Sequence, residues 1–174
     1  MDNRFPVLYN EKKGGICVFF TVFPSPLGNL TLTSDGSSLT GLWMETQTLP
    51  RAEYTRQDTL PVFLETGKWL EDYFLGKQPD PDTLPLSPAG TEFQRLVWRH
   101  LLNIPYGQTV TYGHIAKAVS PSMSAQAIGG AVGRNPISII IPCHRCIGAN
   151  GRLTGYAGGI ENKAWLLRHE EENK

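Results

Sequence analysis

GKQPDPDTLPLSPAG, residues 76–90, splits the chain into two unlike halves. Four prolines stand in it, at Pro79, Pro81, Pro85 and Pro88. Proline fixes φ and biases the residue before it away from helix, so this stretch reads as a linker or an extended wrap. The boundary falls here: an N-terminal unit over residues 1–80, a proline-rich linker over 81–90 and a second unit over 91–174.

Upstream, the pattern is that of strands. ICVFFTVF (16–23) leads through a Pro-Ser-Pro-Leu-Gly turn to NLTLTS (29–34), then through Asp35-Gly36 to LTGLWME (39–45), an antiparallel meander. Residues 61–75 then carry Phe63, Leu64, Leu70, Phe74 and Leu75 behind Pro61, a residue suited to a helix start. Downstream, helices dominate. Thr91 and Gln94 have capping-box spacing ahead of an apolar stripe of Phe93, Leu96, Val97, Leu101 and Leu102, and Pro105 and Gly107 stop that helix. Thr109 or Thr111 can cap YGHIAKAV (112–119), and SPSM turns into SAQAIGGAVG (124–133), which suggests a helix-turn-helix. Asn135-Pro136 ends the second helix, ISIII (137–141) reads as a buried strand, Asn150-Gly151 as a turn, and ENKAWLLRHEEE (161–172) as a last helix. The expected class is α+β: a small antiparallel sheet with a helix, joined to a mainly helical unit.

A chain of 174 residues can bury a core without staples. Its three cysteines, Cys17, Cys143 and Cys146, are too few and too odd in number for a disulfide framework. The opening MDNRFPVLYNEKKGG lacks an apolar stretch with a cleavage site, and no run of about 18 apolar residues occurs, so a cytoplasmic setting without a membrane is expected. The zero net charge hides an asymmetry: residues 1–90 carry 7 Lys/Arg against 11 Asp/Glu, residues 91–174 carry 9 against 5. A polyanionic partner, if there is one, belongs to the second half.

IPCHRC, residues 141–146, holds two thiols three apart. A redox pair needs a helix start to stabilise a thiolate, yet Ile-Gly-Ala-Asn-Gly follows Cys146. A structural zinc needs four ligands, and neither Cys17 nor His100, His114 or His169 forms a second close pair. Cys143 thus reads as a lone nucleophile held by Pro142 and served by His144, or as a buried inert thiol; position alone leaves both open. Neighbouring side chains on an extended backbone point to opposite faces, so contact between thiol and imidazole needs a bend or a bridging water.

IPCHRCIGANGRLTGYAGG, with Asn135-Pro136 before it and WLLRHE (165–170) after it, resembles the active-site region of the O6-alkylguanine-DNA alkyltransferases. FQRLVWRHLLNIPYGQTVTYGHIA (93–116) is similar to the family's entry into its helix-turn-helix, and SPLGNLTLTSDGSSLTGLWM (25–44) to its more variable first domain. The resemblance implies a DNA-repair protein that flips an alkylated guanine, or alkylated thymine, out of duplex DNA. It then moves the alkyl group irreversibly to its own Cys143, a methyltransferase acting once and without a cofactor. It implies that Glu170 orients His144, that His144 deprotonates Cys143 through a water, and that Tyr112 stabilises the leaving guanine. On residues alone Tyr112 could equally be a packing aromatic and Glu170 a solvated helix end. Tyr156, with Ser138, Ala157 and Gly158, would line the base pocket, and Asn135 would hold the turn before the nucleophile.

The same resemblance places the second helix of the pair in the minor groove of double-stranded DNA. Ser124, Ala125, Ala127, Gly129 and Gly130 are small enough for close approach, although the same residues would also suit packing against a neighbouring helix. Gln126 stands where the family often has an arginine finger, which should alter the strength of base extraction. Arg95, Lys117 and Arg134 are candidates for phosphate attraction. Cys146 stands where a small apolar residue is usual and is read as one. Some relatives hold zinc in the first domain; with Cys17 as the one cysteine there and no histidine, no metal is expected, and a monomer is.

Overall fold

The computed structural model describes residues 18–49 and 53–174. Cys17 and the start of the first expected strand lie outside these residues. Strands β1 (Phe19–Ser25), β2 (Gly28–Ser34) and β3 (Leu39–Met44) form the expected meander, and a short β4 (Thr55–Arg56) adds in parallel to β1, giving the order β3-β2-β1-β4. The β-branched and aromatic residues suit a pleated, half-buried surface, with Leu30 and Leu32 of β2 turned into the core.

Helix α1 (Pro61–Phe74) starts with proline at its first turn and buries Val62, Phe63, Thr66, Trp69, Leu70 and Tyr73. That set follows the three-to-four-residue helical repeat. The expected stripe is corrected at two places: Leu64 and Leu75 are 60% and 67% exposed, and Trp69 and Tyr73 take the inner face instead. Residues 76–90 are a packed wrap. Asp80 caps a 3-10 turn at Pro81–Thr83, Leu84 and Leu86 are buried, and Leu39 of β3 bonds Pro85 and Ser87 on either side of Leu86.

In the second half, α2 (Glu92–Leu102) has a complete capping box: Gln94 N–H donates to Thr91 Oγ1 at 3.2 Å, and the Gln94 side chain accepts from Thr91 N–H at 2.8 Å. After the two-residue β5 (Val110–Thr111), Thr111 caps α3 (Tyr112–Val119), and Ser124 caps α4 (Ala125–Val132). Strand β6 (Cys146–Ile147) lies parallel to β5, and α5 (Ile160–Glu172) ends the order. Trp98 of α2 donates its indole N–H to the Ala131 carbonyl of α4, which fixes the two helices against each other.

Residues 137–141 are buried as expected but do not form a strand. Ile137 makes a single bridge to Leu42 of β3, and Ile139 then turns into the left-handed region at φ 69°. The cause is Asn135. Its side chain accepts from Ile137 N–H and donates to the carbonyls of Ile137 and Ile141, taking groups that a strand ladder would need. The apolar run reflects burial: Ile137, Ile139, Ile140 and Ile141 are all in the core. One hydrophobic cluster runs from Leu30 through Leu42, Ile137 and Cys143 to Leu166, joining both halves of the chain. Among the described residues no helix is long and apolar enough to cross a membrane.

Candidate active site

The turn made by Asn135 delivers the chain to Pro142 and then to a 3-10 turn at Cys143–Arg145. A 3-10 turn supplies the bend that an extended backbone lacks, so Cys143 and His144 are both buried in one region. Asn135 Nδ2 lies 3.1 Å from Cys143 Sγ, so the side chain that shapes the turn also contacts the sulfur. Burial pushes the Cys143 thiol above its ordinary value, opposed by the Asn135 contact and by the charge of Lys163. At rest Cys143 is therefore a thiol, and its reaction requires a base.

His144 has no exposed surface and pairs with Glu170, Nε2 to Oε1, at 2.7 Å. Glu170, on α5, is equally buried and is the centre of the network. Its carboxylate accepts from Tyr73 hydroxyl (2.8 Å), Gly107 N–H (3.0 Å), His144 and twice from Arg145 (2.9 and 3.0 Å). Burial alone would raise its proton affinity. The hydrogen bond from His144 and then the Arg145 guanidinium outweigh that and hold Glu170 well below the usual carboxylate range. An ionised carboxylate only accepts, so His144 Nε2 carries the hydrogen and Nδ1 carries the lone pair. Burial, partly offset by Glu170, keeps His144 below its ordinary value and hence neutral at pH 7. Its Nδ1 is buried without a hydrogen-bond partner among the described residues.

Arg145 closes the other side, donating to the Ile104 carbonyl at 2.6 Å and lying 5.6 Å from the Tyr106 ring centre. Gly107 has φ 67° and presents its N–H to Glu170, a backbone position that favours glycine. Lys163, Tyr73 and Arg145 join the site without a role that their sequence context indicates. Lys163 is fully buried, donates to the carbonyls of Cys146 and Thr154, and sets its ammonium 5.8 Å from the Tyr112 ring centre. Burial lowers its proton affinity, against the pull of the nearby thiols. A lysine on a helix with many charges gives no sequence signal of burial.

Tyr112 is half-buried at the start of α3 and donates to the Thr154 carbonyl at 3.1 Å. Burial, then Cys146 and Cys143, push its phenol up to about 12, so it remains a donor. Tyr156 and Ser138 are buried near Cys143; burial and then the Cys143 charge hold the Tyr156 phenol well above its ordinary value, with Ser138 opposing. Gly158 is buried, and a Cβ there would press on Met44 Sδ and the Tyr156 ring, so a larger residue would displace the tyrosine or the methionine. Ala157 is exposed. Cys146 is buried, with its thiol raised to about 12 by burial first and Cys143 second.

On α4, Ser124, Ala125, Gln126 and Ala127 are exposed, while Ile128, Ala131 and Val132 face the core. A Cβ on Gly129 would meet nothing within 4 Å, so packing within the chain does not require glycine there. Ala125 and Ala127 are thus on its outer surface, Gly129 and Gly130 are half-buried, and Ala131 faces the core. Lys117 and Arg134 are exposed and Arg95 is partly so. No group of three or more His, Cys, Asp or Glu residues able to hold a metal occurs among the described residues.

Two family models match the chain: 6-O-methylguanine DNA methyltransferase, ribonuclease-like domain, over residues 18–88, and 6-O-methylguanine DNA methyltransferase, DNA binding domain, over residues 92–172. The chain belongs to the 6-O-methylguanine DNA methyltransferase family. It is 44% identical over 155 residues to the methylated-DNA--protein-cysteine methyltransferase of Haemophilus influenzae, covering 88% of this chain and 87% of that one. It is 42% identical to the protein of the same name from Methanosarcina acetivorans, covering 88% and 98%. Among solved structures, Mycobacterium tuberculosis O6-methylguanine methyltransferase superposes with a TM-score of 0.81 at 43% identity, covering 90% and 94%. The M. tuberculosis OGT structure in complex with DNA does so at 0.80 and 44%, covering 89% and 94%.

Proposed function

We propose that the protein repairs DNA by transferring the alkyl group of O6-alkylguanine, and of O4-alkylthymine where the pocket admits it, to its own Cys143. The single observation that supports this reading best is the neutral, buried His144, anchored through Nε2 to ionised Glu170 and left with a free lone pair on Nδ1. The Cys143 proton passes to Nδ1 through a water. The thiolate attacks the alkyl carbon, the C–S bond forms, and the C–O6 bond breaks with its electron pair going to the guanine. Tyr112, protonated, leaves the Thr154 carbonyl and donates to the departing base, the charge-developing partner. The imidazolium that results is paired at once with Glu170. The thioether is stable, so each molecule reacts once, and the balance calls for no metal or organic cofactor.

Helices α3 and α4 serve as a helix-turn-helix whose α4 enters the minor groove. The exposed Ser124, Ala125 and Ala127 and the half-buried Gly129 and Gly130 support that approach, and Gln126 would fill the stack when the base is flipped out. Tyr156, Ser138, Ala157 and Gly158 would border the flipped base. The two units divide as 1–80 and 91–174 about the wrap at 81–90. We infer a monomer acting on double-stranded DNA in the cytoplasm.

Intact-mass measurement after incubation with duplex DNA carrying O6-methylguanine tests this. One added methyl group per protein is expected. Binding without a mass change would mean lesion recognition alone, and repeated turnover of an ester or amide without modification would mean a cysteine hydrolase.

A further inference from the structure

Tyr73 belongs to α1, in the half of the chain whose described residues supply no other hydrogen bond to Glu170. Its ring stacks on Trp69 at 5.5 Å and meets Tyr106 edge-on at 5.9 Å. Its hydroxyl donates to Glu170 Oε1, the same oxygen that receives the His144 hydrogen. Its backbone carbonyl accepts from His169 Nε2 at 2.9 Å, one residue before Glu170. Helix α1 therefore grips α5 at two successive residues, and one of those grips is on the atom that orients the imidazole.

We propose that Tyr73 is a positioning residue for the alkyl-transfer reaction: its hydroxyl holds Glu170 Oε1 in line with His144 and limits how strongly that oxygen draws on the imidazole hydrogen. The first domain thereby sets the basicity of the group that deprotonates Cys143. The lone pairs of one carboxylate oxygen are shared between Tyr73, His144 and Arg145 Nη2. Each donor withdraws electron density from the others' bonds, and in a dry site that competition is strong. Removing the phenol leaves Glu170 a better partner for the imidazolium, so His144 holds its proton to higher pH.

The groups that meet this network are Tyr73 from α1, Tyr106 and Gly107 N–H from the loop after α2, Cys143, His144 and Arg145 from the 3-10 turn, Tyr156 from the loop before α5, and Lys163 and His169 on α5 itself. Tyr73 stays a donor throughout, because burial and then the Glu170 charge raise its phenol well above its ordinary value.

The inference rests on the alkyl-transfer reading, and two readouts separate their fates. The first is the single-turnover transfer rate against pH for the full chain and for Tyr73→Phe, which keeps the ring and its stacking. The second is the 15N titration of the His144 ring in the same two proteins without DNA. The acid limb and the ring titration are both expected to move up by roughly half a pH unit in Tyr73→Phe, a fraction of the effect of one charge-assisted hydrogen bond. Leu70→Ala, on the same helix and buried, lowers the melting temperature without moving either. A Tyr73→Phe protein whose limb and ring titration coincide with those of the parent overturns the proposal. So does a uniform rate loss with no shift, because packing alone would explain it. If the ring titration moves while neither protein transfers a methyl group, the positioning role stands and the alkyl-transfer reading falls.

Discussion

The pocket around Glu170 and the outer face of α4 are opposite solutions to placing polar function in a protein. Around Glu170, one carboxylate with no exposed surface accepts five hydrogen bonds from four residues, of which Arg145 and Gly107 are partly buried. Along α4, Ser124 to Ala127 touch solvent, and Gly129 has open space where a side chain would stand. The first region is over-determined by the fold, so altering it should change chemistry and stability together. The second is free of the fold, so altering it should change DNA binding and base extraction while leaving stability alone.

The largest effect expected is from Cys143→Ser, which should abolish methyl transfer while leaving DNA affinity near that of the parent, measured by single-turnover transfer and fluorescence anisotropy. Glu170→Gln comes next. Transfer should fall by about a hundredfold or more as the general base loses its anchor. The fold should lose about 1–3 kcal/mol, because the partly buried Arg145 loses its charged partner and keeps only the Ile104 carbonyl. The parent should also destabilise in acid. Both His144 and Glu170 have depressed folded values, so the stability they contribute is complete above their unfolded values and is lost as pH falls, first below about 6.5 for His144 and then below about 4.3 for Glu170. Denaturant unfolding between pH 7 and 3 should show that decline in the parent and a flatter lower part in Glu170→Gln.

Gln126→Ala sharpens the contrast from the other side. Unfolding free energy should stay within about 0.5 kcal/mol of the parent, while affinity for lesion-bearing duplex and the transfer rate both drop several-fold. A variant with both unchanged would remove Gln126 from base extraction. The smallest effect belongs to Cys146→Val, expected to leave transfer nearly intact, since that thiol is buried and pushed up to about 12. A large loss there would return the two cysteines to a functional pair.

Legibility in the sequence followed locality. The cap at Thr91, the proline start of α1 and the helix stop at Asn135-Pro136 are contained within a few residues and stand where the sequence indicated; of the two caps open for α3, Thr111 is the one used, and Ser124 caps α4 without having been singled out. The Cys143, His144 and Glu170 grouping came from resemblance, and the structure brings His144 and Glu170 together at 2.7 Å. What stayed hidden depends on distant partners. Tyr73 and Glu170 are 97 positions apart, and Lys163 sits in a charged stretch that reads as a solvated helix. The segment 137–141 misled for a related reason: β-branched residues signal burial as readily as strand, and the choice was made by the Asn135 side chain.

Peptide mapping of the protein after one equivalent of O6-methylguanine duplex locates the accepted methyl group. A single methyl group on Cys143, with Cys146 unmodified, is predicted. A methyl group on Cys146, or release of methyl product with Cys143 still free, would contradict it.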